Sequence, residues 1–339
     1  MKKLFIAIAA LAAMTSCSQD EVMEVAQREA IAFNNSFINN ATRAIDPSLI
    51  NTTVSEFTVW GTVTATGTGT ATTPIFNNTQ VKSNNNEIGT GKIWDTQGVT
   101  QYWIEGAKYN FAGLINAGTV SLGNDNLPAT VSFTQNYTTE KDLLYARSAA
   151  NIVGKATGNS AVPMTFDHML SKVGFKITNN NAEESGYTYK VTDIKITSKL
   201  ATSGRATIST ASGNSFEWDS QSGEYEDLGF GAAVAKDATA VSAAAEITET
   251  ATMYSNIEHL LIPNTYSDFK VQFTLETIVN GTTIKTGEVV TKAAASAVTF
   301  AAKTYYMINI GLQVGQPIQF TVSALNAWTP GTGENVTVQ

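Results

Sequence analysis

Alternation of apolar and polar residues with a period of two runs through most of this chain, and it restricts the fold more than any other feature. "EFTVWGTV" sets Phe57, Val59 and Val63 on one side, and "KVGFKIT" does the same with Val173, Phe175 and Ile177. "FKVQFTLETIV" adds Val271, Phe273, Leu275 and Val279; "YYMINIGLQV" adds Tyr306, Ile308, Ile310, Leu312 and Val314; "PIQFTV" adds Ile318, Phe320 and Val322. Successive side chains of a strand point to opposite faces, so such segments bury one face and wet the other. That is the pattern of half-buried antiparallel strands. In "YTYKVTDIKIT" the apolar phase moves from odd to even positions after Val191, which predicts a β-bulge at Asp193. Asn280-Gly281, between Val279 and Ile284, predicts a two-residue hairpin turn.

Helical patterns are scarce. "TEKDLLYARSAANIV" is compatible with a helix capped by Thr139, and equally with a strand carrying Leu143 and Tyr145 inward. The alanine-rich "AVAKDATAVSAAAEITET" reads either as a short helix or as an exposed excursion. Many short strands with Gly- and Asn-rich turns predict an all-β chain of sandwich type. At ~100–200 residues per domain, 339 residues predict two. The boundary falls in "TFDHMLSKVGF", where one strand ends around Phe166 and another starts at Lys172. The expected sandwiches are 44–169 and 170–339.

The first residues read as a targeting segment. Lys2 and Lys3 precede an apolar run, Leu4–Met14, which is shorter than the ~20 residues a membrane-spanning helix needs. Ser16 and Cys17, the only cysteine, follow. Residues 1–16 therefore read as a signal peptide. A small residue immediately before cysteine resembles a bacterial lipobox, which implies that Cys17 is acylated as the first residue of the mature chain. The alternative is a plain signal peptide followed by an unrelated cysteine. Residues 17–43 read as a tether, with an acidic "QDE" resembling a lipoprotein surface-export signal, followed by a strand.

Several chemistries are not expected. A net charge of −8 argues against sequence-independent nucleic-acid binding. His168 and His259 stand in no zinc spacing, and one cysteine builds no thiolate site. There is no G-x-S-x-G elbow and no calcium loop, and "GTGKIW" at Gly89 lacks the spacing of a phosphate cradle. The expectation is no catalytic residue, no metal site and no cofactor, hence no enzyme. His168 reads as a hydrogen-bonded histidine at the junction. Trp94, Tyr102 and Trp103 read as strand core or interface, or as a platform on which sugars stack.

The order of the segments carries more than any one of them. A lipobox is followed by a tether and by the alternating "EAIAFNNSFI", with Ile31, Phe33 and Phe37 on one face. Then come "NNATRAID", "FTVWGT", "FDHMLSKVGFKIT", "LIPNTY" and the closing "LNAWTPGTGENVTVQ". This order resembles the fimbrillin family of Bacteroidetes type V pilins over essentially the whole chain. The resemblance implies two tandem transthyretin-like β-sandwiches and export to the outer membrane as a lipoprotein precursor. It implies that an arginine-specific protease cuts after the arginine that follows the first strand, here Arg43, leaving Ala44 as the new N-terminus. The lost strand of Ile31, Phe33 and Phe37 then leaves a groove, which the C-terminal strand of another subunit fills. In this chain that donor is the tail with Trp328, Val336 and Val338. The implied partners are other pilin subunits, the protease, the outer membrane and a host or bacterial surface ligand. A candidate cleavage site together with a strand-like tail favours a stalk subunit over an anchor or a tip. The competing readings are a surface glycan-binding lipoprotein and, further behind, a lipid-anchored hydrolase.

Overall fold

The structure is a computed structural model that describes residues 28–36, 56–66, 71–83, 93–209, 214–236 and 244–327. Cys17, Phe37, Arg43, Ala44, Trp328, Val336 and Val338 lie outside them. Every regular element among the described residues is a strand. The first ten are β1 (Phe33–Ser36), β2 (Glu56–Thr64), β3 (Thr72–Ser83), β4 (Ile93–Thr96), β5 (Lys108–Ile115), β6 (Val120–Leu122), β7 (Pro128–Thr134), β8 (Leu144–Arg147), β9 (Ile152–Val153) and β10 (Val162–His168). After them come β11 (Ser171–Asn179), β12 (Tyr187–Ile196), β13 (Ser203–Ser209), β14 (Ser215–Ser222), β15 (Leu228–Gly231), β16 (Ala233–Val234) and β17 (Thr252–Ser255). The last are β18 (His259–Leu261), β19 (Asn264–Tyr266), β20 (Lys270–Val279), β21 (Thr282–Ala293), β22 (Val298–Phe300), β23 (Thr304–Leu312) and β24 (Gln319–Ala327).

In the first part of the chain the sheet order is β2-β3-β4-β1-β10-β8-β5-β9, and β2 also pairs with β5. Seven strands therefore hydrogen-bond in a closed ring, with β9 attached to β5. Closure leaves no edge to template aggregation. Inside the ring pack Phe33, Phe57, Phe76, Trp94, Phe111 and Phe166. Gly61 makes this aromatic packing possible, because a Cβ there would stand 2.7 Å from the Phe111 ring and 2.9 Å from that of Phe76.

The latter part is a sandwich. The sheet β16-β17-β11-β23-β24, with β18 on β11, lies over β15-β12-β20-β21. Phe175 and Ile308 from the first meet Val191 and Phe273 from the second in one core. β11 and β23 run parallel from Lys172 beside Tyr305 to Asn179 beside Leu312. β24 pairs with β23 from Gly311–Gln319 to Thr304–Ala327.

A third cluster joins the two parts. Trp60, Leu114 and Val131 pack with Ala206, Leu260 and Ile262. A ladder crosses the 169/170 division as well, since β7 pairs with β13 from Thr130–Thr207 to Thr134–Ser203.

Local detail follows the sequence where the backbone rule is simple. Asp193 has φ 49°, and the β12–β20 ladder jumps from Thr192–Thr274 to Lys195–Gln272, so Val191 and Ile194 are both fully buried. Asn280 and Gly281 have φ 48° and 75° in the turn from β20 to β21, the positive pair that a type I′ hairpin needs. Two alternating assignments fail. Register shifts between Leu275 and Ile278 turn Ile278 inward in place of Val279. Val314 lies beyond the end of β23 and is 47% exposed. The helix alternative for "TEKDLLYARSAANIV" also fails. β8 lies between β10 and β5, with Leu144 and Ala146 in the ring and Leu143 and Tyr145 in the joining cluster. Of the alanine-rich stretch, Ala233–Val234 is strand, 244–250 contains no helix, and 237–243 lie outside the described residues.

Candidate functional site: the groove that holds the first strand

β1 is four residues long, yet the segment from Glu29 onward is bonded along both sides. It pairs parallel with β10, Phe33 beside Val162, and antiparallel with β4, Phe33 beside Trp94. Before the strand proper, Ala30 forms an antiparallel bridge with Tyr102. There the Ile31 N–H donates to the Gln101 carbonyl at 2.8 Å, and the Trp103 N–H donates to the Glu29 carbonyl at 3.0 Å. On the β10 side the Val162 N–H donates to the Ala32 carbonyl at 2.8 Å. Among the described residues, the partners of this segment lie more than fifty residues further along the chain.

Alternation places its side chains. Ile31 is 3% exposed and Phe33 is fully buried. The Phe33 ring meets Phe57, Phe76 and Phe111 edge-on, with centroids 5.8, 6.0 and 5.4 Å away. Edge-to-face pairs of this kind contribute ~0.5–1.5 kcal/mol beyond their area. Both described residues expected in the first strand, Ile31 and Phe33, thus lie in one apolar groove between β4 and β10. Phe37, also expected there, lies outside the described residues.

The groove has a polar end that the sequence reading missed. The Gly158 N–H donates to Glu29 Oε1 at 2.7 Å. The Asn159 N–H and its side-chain Nδ2 donate to Oε2 at 2.6 and 2.8 Å. Asn159 is itself held by Lys155, whose N–H donates to Oδ1 and whose carbonyl accepts from Nδ2, both at 2.8 Å. Gly158 has φ 74°, a left-handed turn position that glycine adopts without strain. Three donors converge on one carboxylate, so the clasp recognises an ionised group. The only sequence sign was Glu29 two residues ahead of Ile31; its donors come from 130 residues away.

The Asn159 and Gly158 backbone N–H groups, with the Asn159 side chain and Lys155 adding to them, hold the Glu29 carboxyl below its ordinary range. A carboxyl lowered in this way contributes its stabilisation above the ordinary glutamate value and loses it as pH falls through the lowered one. Glu29→Gln is therefore expected to lower the melting temperature of the unprocessed chain modestly at ~pH 7 and progressively less as the pH falls below the ordinary glutamate range. A loss that stays constant as the pH is lowered would show that the charge is irrelevant.

The remaining candidates serve the structure. His168 is buried, with Nδ1 2.5 Å from Asp142 Oδ2. His259 Nδ1 lies 2.6 Å from Glu140 Oε1, and its Nε2–H donates to the Gly229 carbonyl at 2.8 Å. Both histidines thus tie the 140–142 segment to the strands that meet at the joining cluster. Trp94 and Trp103 are buried in the ring core and offer no face to a sugar, whereas Tyr102 is exposed.

The chain has the fold of a fimbrial protein from Bacteroides vulgatus ATCC 8482, with TM-score 0.55, 13% identity, and coverage of 89% of this chain and all of that one. A fimbrial assembly protein from Parabacteroides distasonis ATCC 8503 is also similar, with TM-score 0.44, 13% identity, and coverage of 88% and 96%. No curated protein sequence matches. The Fimbrillin-like family model matches residues 42–328, well over half the chain. The chain therefore belongs to the Fimbrillin-like family.

Proposed function

We propose that this chain is a structural fimbrial subunit, a stalk pilin, in which the first strand is a removable occupant of the β4–β10 groove. One observation carries the reading: β1 closes the ring, and the next described strand begins at Glu56, so Arg43 falls in the sequence between them. A cut after Arg43 leaves Ala44 as the N-terminus and frees everything from Cys17 to Arg43. The body then has two strand edges and an apolar slot without an occupant. Each buried backbone group left unpaired costs ~1–3 kcal/mol. A strand from another subunit restores the ladders and refills the slot, which is strand addition as an assembly mode. Because the donor lies at one end of a subunit and the groove elsewhere, the contact is head-to-tail and grows open filaments.

The donor in this reading is the C-terminal tail. β24 is described as far as Ala327, and twelve residues, 328–339, follow it in the sequence. Fully extended, they reach ~40 Å. Trp328 stands at the base, and Val336 and Val338 share one face beyond Pro330 and Gly333. The family match, 42–328, likewise leaves out both the first strand and nearly all of the tail.

The rest of the proposal follows the same line. Cys17 carries the lipid that holds the precursor at the outer membrane, an arginine-specific protease processes it there, and the filament serves adhesion at the cell surface. The chain after Arg43 comprises two domains, 44–169 and 170–339, the second including the donor tail, with separate main cores and the joining cluster between them. Removing residues 329–339 is expected to leave the melting temperature of the unprocessed chain nearly unchanged and to stop chain growth after processing. A large drop in that temperature would place the tail in its own body and remove the donor.

A further inference from the structure

The seated strand and the tail share a pattern. Glu29-Ala30-Ile31-Ala32-Phe33 has a carboxylate followed at two and four residues by large apolar side chains. Glu334-Asn335-Val336-Thr337-Val338 has the same arrangement. In a strand, positions i, i+2 and i+4 lie on one face. The first segment shows what the groove selects there: a carboxylate in the Gly158–Asn159 clasp, then two buried apolar residues.

We propose that the tail of a second copy seats in the register of the first strand, with Glu334 in place of Glu29 in the clasp, Val336 in place of Ile31 and Val338 in place of Phe33. The proposal rests on the donor-strand reading above and adds to it the register and the residue that fixes it. Among the tail residues from Trp328 onward, Glu334 is the only carboxylate side chain, so this charge sets a single alignment. A slip by two would put Thr332 or Val336 against three converging donors and leave them without an anion. The alignment has one further consequence. Val338 is smaller than Phe33, so the tail fills the slot less completely than the chain's own strand does. The first strand, attached to the chain and the better fit, therefore keeps the groove until it is cut away, and the tail then fills it without that competitor.

The test uses the bridge between Ala30 and Tyr102. The bonds flanking it, from the Ile31 N–H to the Gln101 carbonyl and from the Trp103 N–H to the Glu29 carbonyl, make this a non-hydrogen-bonded pair. In such pairs the Cα atoms stand ~4.5 Å apart, within the range that a disulfide spans. In the proposed register Asn335 of one copy faces Tyr102 of the next. Cys17 is the only native cysteine and precedes Arg43, so processed chains contain no other thiol. Chains with Tyr102→Cys and Asn335→Cys, processed, assembled and oxidised, are expected to give covalent ladders on denaturing, non-reducing gels. Chains with Tyr102→Cys and Thr337→Cys are expected to give none. In otherwise wild-type chains, Glu334→Gln turns an amide N–H₂ toward the clasp donors and is expected to speed subunit loss from filaments roughly 2- to 5-fold. Ladders from the Thr337→Cys pair alone, or an unchanged loss rate for Glu334→Gln, overturn the register while leaving the donor-strand reading intact. Normal assembly by chains lacking residues 329–339 overturns both.

Discussion

Phe33→Ala in the unprocessed chain is expected to cost ~3–5 kcal/mol, the range for truncating a buried phenylalanine to alanine. The site gives reason to expect the upper part of that range. The ring is fully buried among Phe57, Phe76 and Phe111, which stand on β2, β3 and β5 and cannot collapse together without breaking the ladders that join those strands. The loss falls on the seating of the first segment and not on the whole molecule, because among the described strands β1 shares ladders with β4 and β10 only. Hydrogen exchange reads it directly. The Ile31, Trp103 and Val162 amides all bond across the groove, and each should exchange faster by about two to nearly four powers of ten, in step. Amides of the β11–β23 ladder, in the other core, should not change. Acceleration spread evenly over both cores would mean that β1 is an ordinary part of one cooperative fold.

The second large effect concerns the connection between β1 and β2. Arg43→Ala is expected to leave a folded, lipid-anchored, full-length chain that forms no filament, since its groove stays filled by its own strand. Arg43→Lys should behave in the same way toward an arginine-specific protease, which separates a requirement for that side chain from a requirement for positive charge. Electron microscopy of the cell surface, together with ladders that persist in mild SDS, provides the readout. Ladders as long and abundant from Arg43→Ala as from the wild type would show that this arginine plays no part.

What could be read in advance divides along the range of the physics. Asp193 and the Asn280-Gly281 turn were legible because a bulge and a type I′ turn are decided by a few adjacent residues. The inward face of β12 was legible because the strand buries mainly one side, and that of β11 because Val173, Phe175 and Ile177 alternate even though Lys172 and Gly174 between them are buried too. β8 was not, because Leu143 and Tyr145 enter one core while Leu144 and Ala146 enter another, and burial on both sides erases the alternation. Ile278 was misassigned to the outer face because register shifts against β21 change the phase, and that depends on the partner strand. Closure of the ring through the β2–β5 pairing and the ladder between β7 and β13 are long-range choices that no local pattern announces. The first strand was legible through Ile31 and Phe33. Its clasp was hidden, since Glu29 alone is an unremarkable surface residue and acquires meaning only when Gly158 and Asn159 fold against it.

All of these effects depend on one claim: that the first strand occupies the groove in the precursor and is absent from the assembled subunit. N-terminal sequencing of subunits stripped from filaments on the cell surface tests this claim most directly. The account predicts a single N-terminus at Ala44. Filament subunits that begin at Cys17, or that retain Ile31 and Phe33 in any form, would contradict it.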